Sequence, residues 1–441
     1  MTRAPVSGRL TTLRATPPPS TTSGFVASRF TGSGPAGGTT GSPRPSRRAV
    51  ALAAAHAGGL LAGAALDAAL GDPRRFHPVA GFGRAAAAWE RRRYAPDRSA
   101  GARFAAVAVG VPVAVAVAAT LATRDRPWVR AALTAATTWA VLGGTSLRRE
   151  AATLAGALDA GNVPAARARL PHLCGRDPST LDEAELARAT VESVAENTSD
   201  AVVAPLAWGA LFGLPGLVGY RAVNTLDAMV GHLSPRYRDF GTVSARLDDL
   251  ANLGPSRATA ALTVAVAAAT GADPRGALRV WLRDGGRHPS PNAGQCEAAT
   301  AGALGIRLGG RSVYHGRAED RPVLGDGRPA RPGDIQRATR LSGAVGAAAL
   351  AMAVGHAAAR PWRRALLARL LRDRVARGGL ANRVARGGLA NRVTRGGLAN
   401  PAALRVLPDS AGPGGPANPV APDGQVNRSR PGRVPTEGSR R

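Results

Sequence analysis

Residues 102–123 are apolar apart from Arg103, with Pro112 the one interruption to helical hydrogen bonding. A run of that length is long enough, as a helix, to cross the hydrocarbon core of a bilayer, which takes about 20 residues. After a short polar turn, residues 128–147 are apolar again, so 102–147 reads as a transmembrane hairpin. Residues 48–70 hold a further Ala/Leu/Gly run with His56 inside it and Asp67 near its end. It lies too far from the first residue, with no small-residue cleavage site leading to a soluble domain, for a signal peptide. The segment 201–223 is apolar but broken by Leu214-Pro215-Gly216, with Pro205 near its start, the pattern of a re-entrant or broken helix. Residues 259–270 are apolar but short for a span, and 341–359 supply a last run. The fold expected is all-α: a polytopic integral membrane helical bundle with full spans near 49–70, 102–123, 128–147 and 341–359. Two partial segments would be buried among them.

The ends of the chain differ from this middle. Residues 1–48 carry seven arginines and no acid in a Ser/Thr/Pro/Gly background and read as a disordered tail; 360–441 carry 17 arginines against four acids. The tails thus hold much of the formal +29 charge, and 49–359 is left as one mildly basic membrane domain. Few aromatics interleave the arginines, so specific nucleic-acid binding is not expected. Three near-copies of RVARGGLAN, from Arg374, Arg383 and Arg392, read as expansion of a low-complexity tail rather than as a solenoid. Lysine is absent throughout. That inventory excludes a Walker A loop and Schiff-base chemistry, and leaves arginine, histidine, backbone amides or a metal to hold any phosphate. Cys174 and Cys296 give neither a disulfide framework nor a zinc spacing.

The chemistry-bearing residues fall in polar stretches between the apolar runs. In TVESVAENTSD, residues 190–200, Glu192, Glu196 and Asp200 follow one another at i, i+4 and i+8 with Asn197 beside them. On a helix they share a stripe whose mutual repulsion is relieved by a magnesium ion or an arginine, or the stripe is simply a solvated face paired with Arg188. In LGDPRRFHPV, Gly-Asp-Pro and His-Pro make a loop that presents Asp72 and His77. Asn224 and Asp227 share a helix face, as do Arg246, Asp249 and Asn252, with Asp248 adjacent. In CGRDPST, Asp177 or Ser179 is placed to cap the next helix. Residues 290–294, SPNAG, form a turn at a helix start whose amides, with Asn292, can meet an anion.

Five stretches, in this order, resemble adenosylcobinamide-phosphate synthase, the CobD/CbiB membrane proteins of cobalamin biosynthesis. They are LGDPRRFHPV, TVESVAENTSDAVVAPL, GLPGLVGYRAVNTLDAMVGH, YRDFGTVSARLDDLANLGPSR and HPSPNAGQCEAATAGALGIRLGG, which together cover roughly 60–320. Departures are Arg221 where lysine is usual, His232 for an aromatic, and Cys296 inside the last motif. The resemblance implies an ATP-dependent ligase that joins the propionate carboxylate of a corrinoid acid to aminopropanol or its phosphate. Such a reaction calls for ATP and Mg2+. Candidates for its catalytic groups are Glu192, Glu196, Asp200, Asp72 and His77, and for metal Glu196, Asp248 and Asp249. Asn197, Asn224, Asp227, Arg246, Arg257, Ser290, Asn292 and Gly294 are the candidates for substrate and ATP. A corrinoid or ion transporter, or a non-catalytic sensor of the same fold, would show many of the same features. For ATP chemistry the motif loops are expected on the cytoplasmic face of a multi-pass plasma-membrane protein, in contact with the lipid bilayer.

Overall fold

The Ser46 hydroxyl accepts from the Ala49 N–H and starts α1 (Arg47–Leu70), the first helix of a computed structural model that describes residues 44–72, 77–314 and 317–395. α1 packs on α4 (Pro127–Val141) through a pair of glycines four residues apart. A Cβ on Gly59 would lie 2.6 Å from the Thr134 Cβ, and one on Gly63 2.5 Å from the Thr138 Cβ. Small residues at this spacing let two backbones approach where lipid offers no hydrophobic drive to association.

α2 (Pro78–Arg93) leads into α3 (Arg98–Ala122), which is capped by Asp97 and carries Pro112 inside it. Among the described residues three helices are long and apolar enough to cross a membrane: α1, α3 and the stretch Pro332–Arg374 of α13 (Pro332–Arg395). They contain the expected spans 49–70 and 341–359 and, but for its last residue, 102–123. The expected span at 128–147 is not one helix. α4 has 15 residues, about 22 Å against a hydrocarbon core of about 30 Å. The backbone turns extended at Leu142 before α5 (Gly144–Asp159) begins. Asp67, reaching over from α1, fixes that start: its Oδ2 accepts from the Thr145 amide at 3.3 Å and hydroxyl at 2.9 Å.

The apolar segment 201–223 is interrupted as expected. α7 (Glu183–Thr198) passes through a π-helical turn, Ser199–Val203, into α8 (Ala204–Phe212); Gly213, at φ +70°, breaks the rod before α9 (Leu214–Val230). Pro205 has no N–H for the Ala201 carbonyl four residues back, and the Gly143 amide donates to that carbonyl instead at 3.2 Å. α7 is begun by Asp182, whose carboxylate caps Glu185 while Glu185 caps Asp182. The cap is therefore neither Asp177 nor Ser179, which bond each other in the preceding turn.

Residues 259–270 are not a separate segment either. Residues 259–267 end α10 (Thr242–Ala267) and 268–270 follow as a 3-10 turn, so the acidic motif at 242–257 is the first half of a 26-residue helix rather than a loop. α6 (Val163–Arg169), α11 (Pro274–Asp284) and α12 (Ala293–Leu304) complete the helices before the one departure from all-α among the described residues. That departure is a small sheet. β1 (Ile306–Tyr314) pairs antiparallel with β2 (Arg317–Leu324) and, through Ile306 and Arg307, parallel with β3 (Arg328–Pro329).

Leu154, Leu186, Leu304 and Ile306 belong to a core where α5, α7, α12 and the sheet meet; Leu60, Leu206, Leu217 and Val345 form another around α1, α8, α9 and α13. Phe104, Leu226, Val230 and Phe240 close a third against the end of α9. The chain divides into two compact units after Asp373. In the second, helix continues through the first two copies of the nonapeptide and into the third. Of the expected disordered tail at 1–48, residues 1–43 lie outside the described residues, as do loop residues 73–76 and the chain beyond 395, while Arg47 and Arg48 already belong to α1.

Candidate active site

The end of α7, its π turn, the end of α9, the first half of α10 and the start of α12 surround a cavity of about 240 Å³. Five carboxylates line it, Glu196, Asp200, Asp227, Asp248 and Asp249, together with Asn252, Ser256, Ser290, Asn292 and Cys296; no arginine is among its lining residues. Glu196 and Asp200 reach it because they lie one turn apart on either side of the α7/π junction. Asp248, Asn252 and Ser256 reach it because they repeat at i, i+4 and i+8 along α10.

Asp248 is the best-held acid. Asn224 Nδ2 on α9 donates to its Oδ1 at 3.3 Å and Asn252 Nδ2 to its Oδ2 at 3.0 Å. Each amide is itself oriented: Arg221 donates to the Asn224 Oδ1 at 3.2 Å, and the Tyr220 hydroxyl to the Asn252 Oδ1 at 2.9 Å. Arg221 thus anchors a chain of hydrogen bonds that ends on a cavity carboxylate.

Burial dominates the acidity of the group. It pushes Glu196 and Asp249 up, and it pushes Asp200 well up with further help from Asp248 and Glu196. Asp248 is raised by burial and partly restored by its two amide donors. Asp227 is pushed up to about 7, by burial first and then by Asp248, Asp249 and Glu196. Gly231 is required beside it, since a Cβ there would coincide with the Asp227 carboxylate.

Other expected site residues stand elsewhere. Glu192 leaves the stripe: its Oε2 accepts from Arg176 at 2.5 Å and its Oε1 from the Gly309 amide of β1 at 2.7 Å, with Arg188 at 3.7 Å. It is a buried structural ion pair that ties α7 to the sheet. Asn197 bonds back to Ser193 and, with Asp72, lines a different pocket on the Ala201 side of the π turn. His77 is the N-cap of α2, its Nδ1 accepting from the Val79 amide. Arg246 and Arg257 are exposed and not among the lining residues, although Arg257 sits against Ser256 at the rim.

The 290–294 turn does not leave its donors free. Ser290 Oγ accepts from the amides of Asn292 and Ala293. Asn292 donates to the Asp249 carbonyl and accepts from Ser256, and Gly294 is packed against His288 and the Gly285 carbonyl. Among the described residues no three His, Cys, Asp or Glu side chains close on one point as a ready metal site.

Sequence reasoning placed five of the lining acids and missed Asn252, Ser256, Ser199 and Cys296 as site residues. The first two were marked by their spacing from Asp248. It also missed Glu297, buried on α12, whose carboxyl burial pushes far up.

The model of the CobD/Cbib protein family matches residues 60–342. A curated relative, Cobalamin biosynthesis protein CobD of Mycobacterium tuberculosis, is 53% identical over 296 residues, covering 67% of this chain and 94% of its own. Proteins of the same name from Geobacter metallireducens and Rhodobacter capsulatus are 44% identical over 274 residues and 41% over 285. These alignments cover 61% and 63% of this chain and 86% and 89% of theirs. No solved structure matches.

Proposed function

The chain belongs to the CobD/Cbib protein family and has a role in cobalamin biosynthesis, and from that premise we propose that the acidic cavity is the active site of an ATP-dependent amide-forming ligase. The carboxylate of a corrinoid acid attacks the γ-phosphorus of ATP, the bond to the bridging oxygen breaks, and ADP leaves with that electron pair. The nitrogen of aminopropanol or its phosphate then attacks the acyl carbon and expels inorganic phosphate, having first given up a proton. The product is a cobinamide with aminopropanol as the amine and its phosphate with the phosphorylated amine, the reaction type of an adenosylcobinamide-phosphate synthase.

One observation carries this reading: five carboxylates line one cavity and no guanidinium is among its described lining residues. Such a wall repels a bare phosphate and suits one accompanied by a hard cation. Glu196, Asp248 and Asp249 are the residues that would hold Mg2+. Bound Mg2+ supplies neutralisation of the charge on the transferring phosphoryl group.

The chain's own groups do the rest. Asn224 and Asn252 keep Asp248 in one orientation, and Ser290, whose oxygen accepts two amides while its proton stays available, offers a hydroxyl to phosphoryl oxygens. Asp227, held near 7, is matched to accept the proton of the incoming ammonium, a task for which Asp72 and His77 are less well placed. The cavity is built from helices other than the three candidate spans, which favours chemistry at a membrane face, taken to be the cytoplasmic one, over a transport path at midplane.

The test is the purified protein with ATP, Mg2+, corrinoid acid and either aminopropanol or its phosphate. Amide product and ADP in equal amounts are expected with one of the amines. Absence of amide with both would remove the ligase assignment and leave transport or sensing.

A further inference from the structure

A second cavity, of about 320 Å³, lies at the other end of α9 and is unlike the first in charge. Leu214, the first residue of α9, lines it, whereas Asp227 lines the acidic cavity; thirteen helical steps put the two about 20 Å apart along the axis. Its walls are the beginnings of α1 and α4, the end of α3, the Gly213 break and the middle of α13. Arg130, Arg360 and Arg364 line it, and no carboxylate does.

These arginines are not already neutralised. Arg130 donates to the Thr123 hydroxyl and the Thr120 carbonyl, both uncharged acceptors. Half-buried Arg360 makes no hydrogen bond or ion pair among the described residues. Asp125, in the turn between α3 and α4, is shared by Arg48 and Arg124. The Thr120 hydroxyl, at the pocket, also lacks a partner among the described residues. Guanidiniums gathered around one cavity with spare donors call for an anion, and phosphate oxygens match them best.

The remaining walls are apolar: Ala49, Leu52, Ala53, Phe212 and Leu214. Two neighbouring residues, Trp128 and Trp362, are 74% and 56% exposed. Tryptophans in such positions settle at headgroup depth in a bilayer. We propose that this cavity binds a phosphate ester of net negative charge, and that its source is the head group of an anionic phospholipid whose chains lie along the exposed apolar faces of α3 and α13. The site is independent of the ligase reading.

The experiment uses the full chain in neutral detergent, its thermal unfolding followed by tryptophan fluorescence while short-chain phosphatidylglycerol, phosphatidylcholine or inorganic phosphate is titrated separately. Phosphatidylglycerol is expected to raise the unfolding temperature and phosphatidylcholine to leave it in place. Arg360→Gln should weaken the phosphatidylglycerol response about tenfold, the loss of one charge-assisted contact. Arg372→Gln, at an exposed arginine further along α13, should not. Arg364→Gln provides the same comparison if Arg360→Gln folds poorly. An equal response to phosphatidylcholine, or an unaltered response in both pocket variants, overturns the site. An Arg360-dependent response to inorganic phosphate alone, with no advantage for the lipid, overturns the lipid as its source.

Discussion

Replacing Asp227 by asparagine should make the protein more stable at neutral pH while impairing its chemistry. The Asp227 carboxyl is raised from 3.8 to about 7 by burial and by Asp248, Asp249 and Glu196, which corresponds to a cost of about 4 kcal/mol for ionising it in the folded state. Solvent at the cavity mouth screens part of this, so about 2–3 kcal/mol is the gain expected from removing the charge. Between about pH 4 and 7 the folded chain holds a proton that the unfolded chain has released. Raising the pH across that window therefore disfavours folding, with the full cost present above about 7 and none below about 4. The advantage of Asp227→Asn over the parent should follow the same curve: largest at about pH 8, vanishing near pH 4. Chemical unfolding in detergent with a chelator present, followed by tryptophan fluorescence, measures it. Added Mg2+ should then stabilise the parent more than the variant. A variant no more stable than its parent at about pH 8, or one whose advantage is the same at about pH 4, would refute the argument that Asp227 is charged there against repulsion.

Glu196→Gln is expected to abolish amide formation in the reconstituted assay while leaving the yield intact and the unfolding midpoint no lower than the parent's, since burial already disfavours the charge; full activity would end its assignment to metal or ATP. Glu192→Gln should do the reverse. By removing the Glu192 charge from its buried pair with Arg176 it is expected to cost about 3–5 kcal/mol, seen as loss of folded protein from detergent extracts, and normal stability would contradict the ion pair as a structural tie. Asn252→Ala frees one Asp248 oxygen and should lower turnover about tenfold or more through misorientation of that carboxylate, with Asn252→Asp unable to rescue it because the donor is gone. Gly63→Leu places a side chain where the Thr138 Cβ now lies; separation of α1 from α4, read as increased protease sensitivity, is expected, and an unaltered digestion pattern would argue against that packing.

The sequence made the helices legible wherever one periodicity decided the outcome. Long apolar runs gave α1, α3 and the first part of α13, and i, i+4 spacing brought Glu196 with Asp200 and located Asp248 and Asp249. What it left hidden depended on partners far away in the chain. Glu192 has the same spacing as its neighbours, and only Arg176, 16 residues before it, and Gly309, 117 residues after it, decide that it faces a core rather than the cavity. The span expected at 128–147 failed for a comparable reason: hydropathy continues across Gly143, but Asp67 from α1 caps a new helix there. Asn292 looked free in a turn because its two partners, Ser256 and the Asp249 carbonyl, belong to α10.

The π turn at Ser199–Val203 is, in register terms, one surplus residue inserted into an otherwise continuous helical rod from Glu183 to Phe212. In a π turn residue i+5 stands about where i+4 stands in an α-helix, so taking one residue out of Ser199–Val203 would restore α geometry with little rotation of the flanks. Leu186 and Val194 before it and Leu206 and Ala210 after it would keep their cores. What the deletion would remove is the local bulge that carries Ser199 and Asp200 to the acidic cavity. A deletion well away from the turn would instead swing one flank by about 100° against the other and part it from its core. The rod can therefore change length at the turn without losing a core, and the cost of such a change falls on the site.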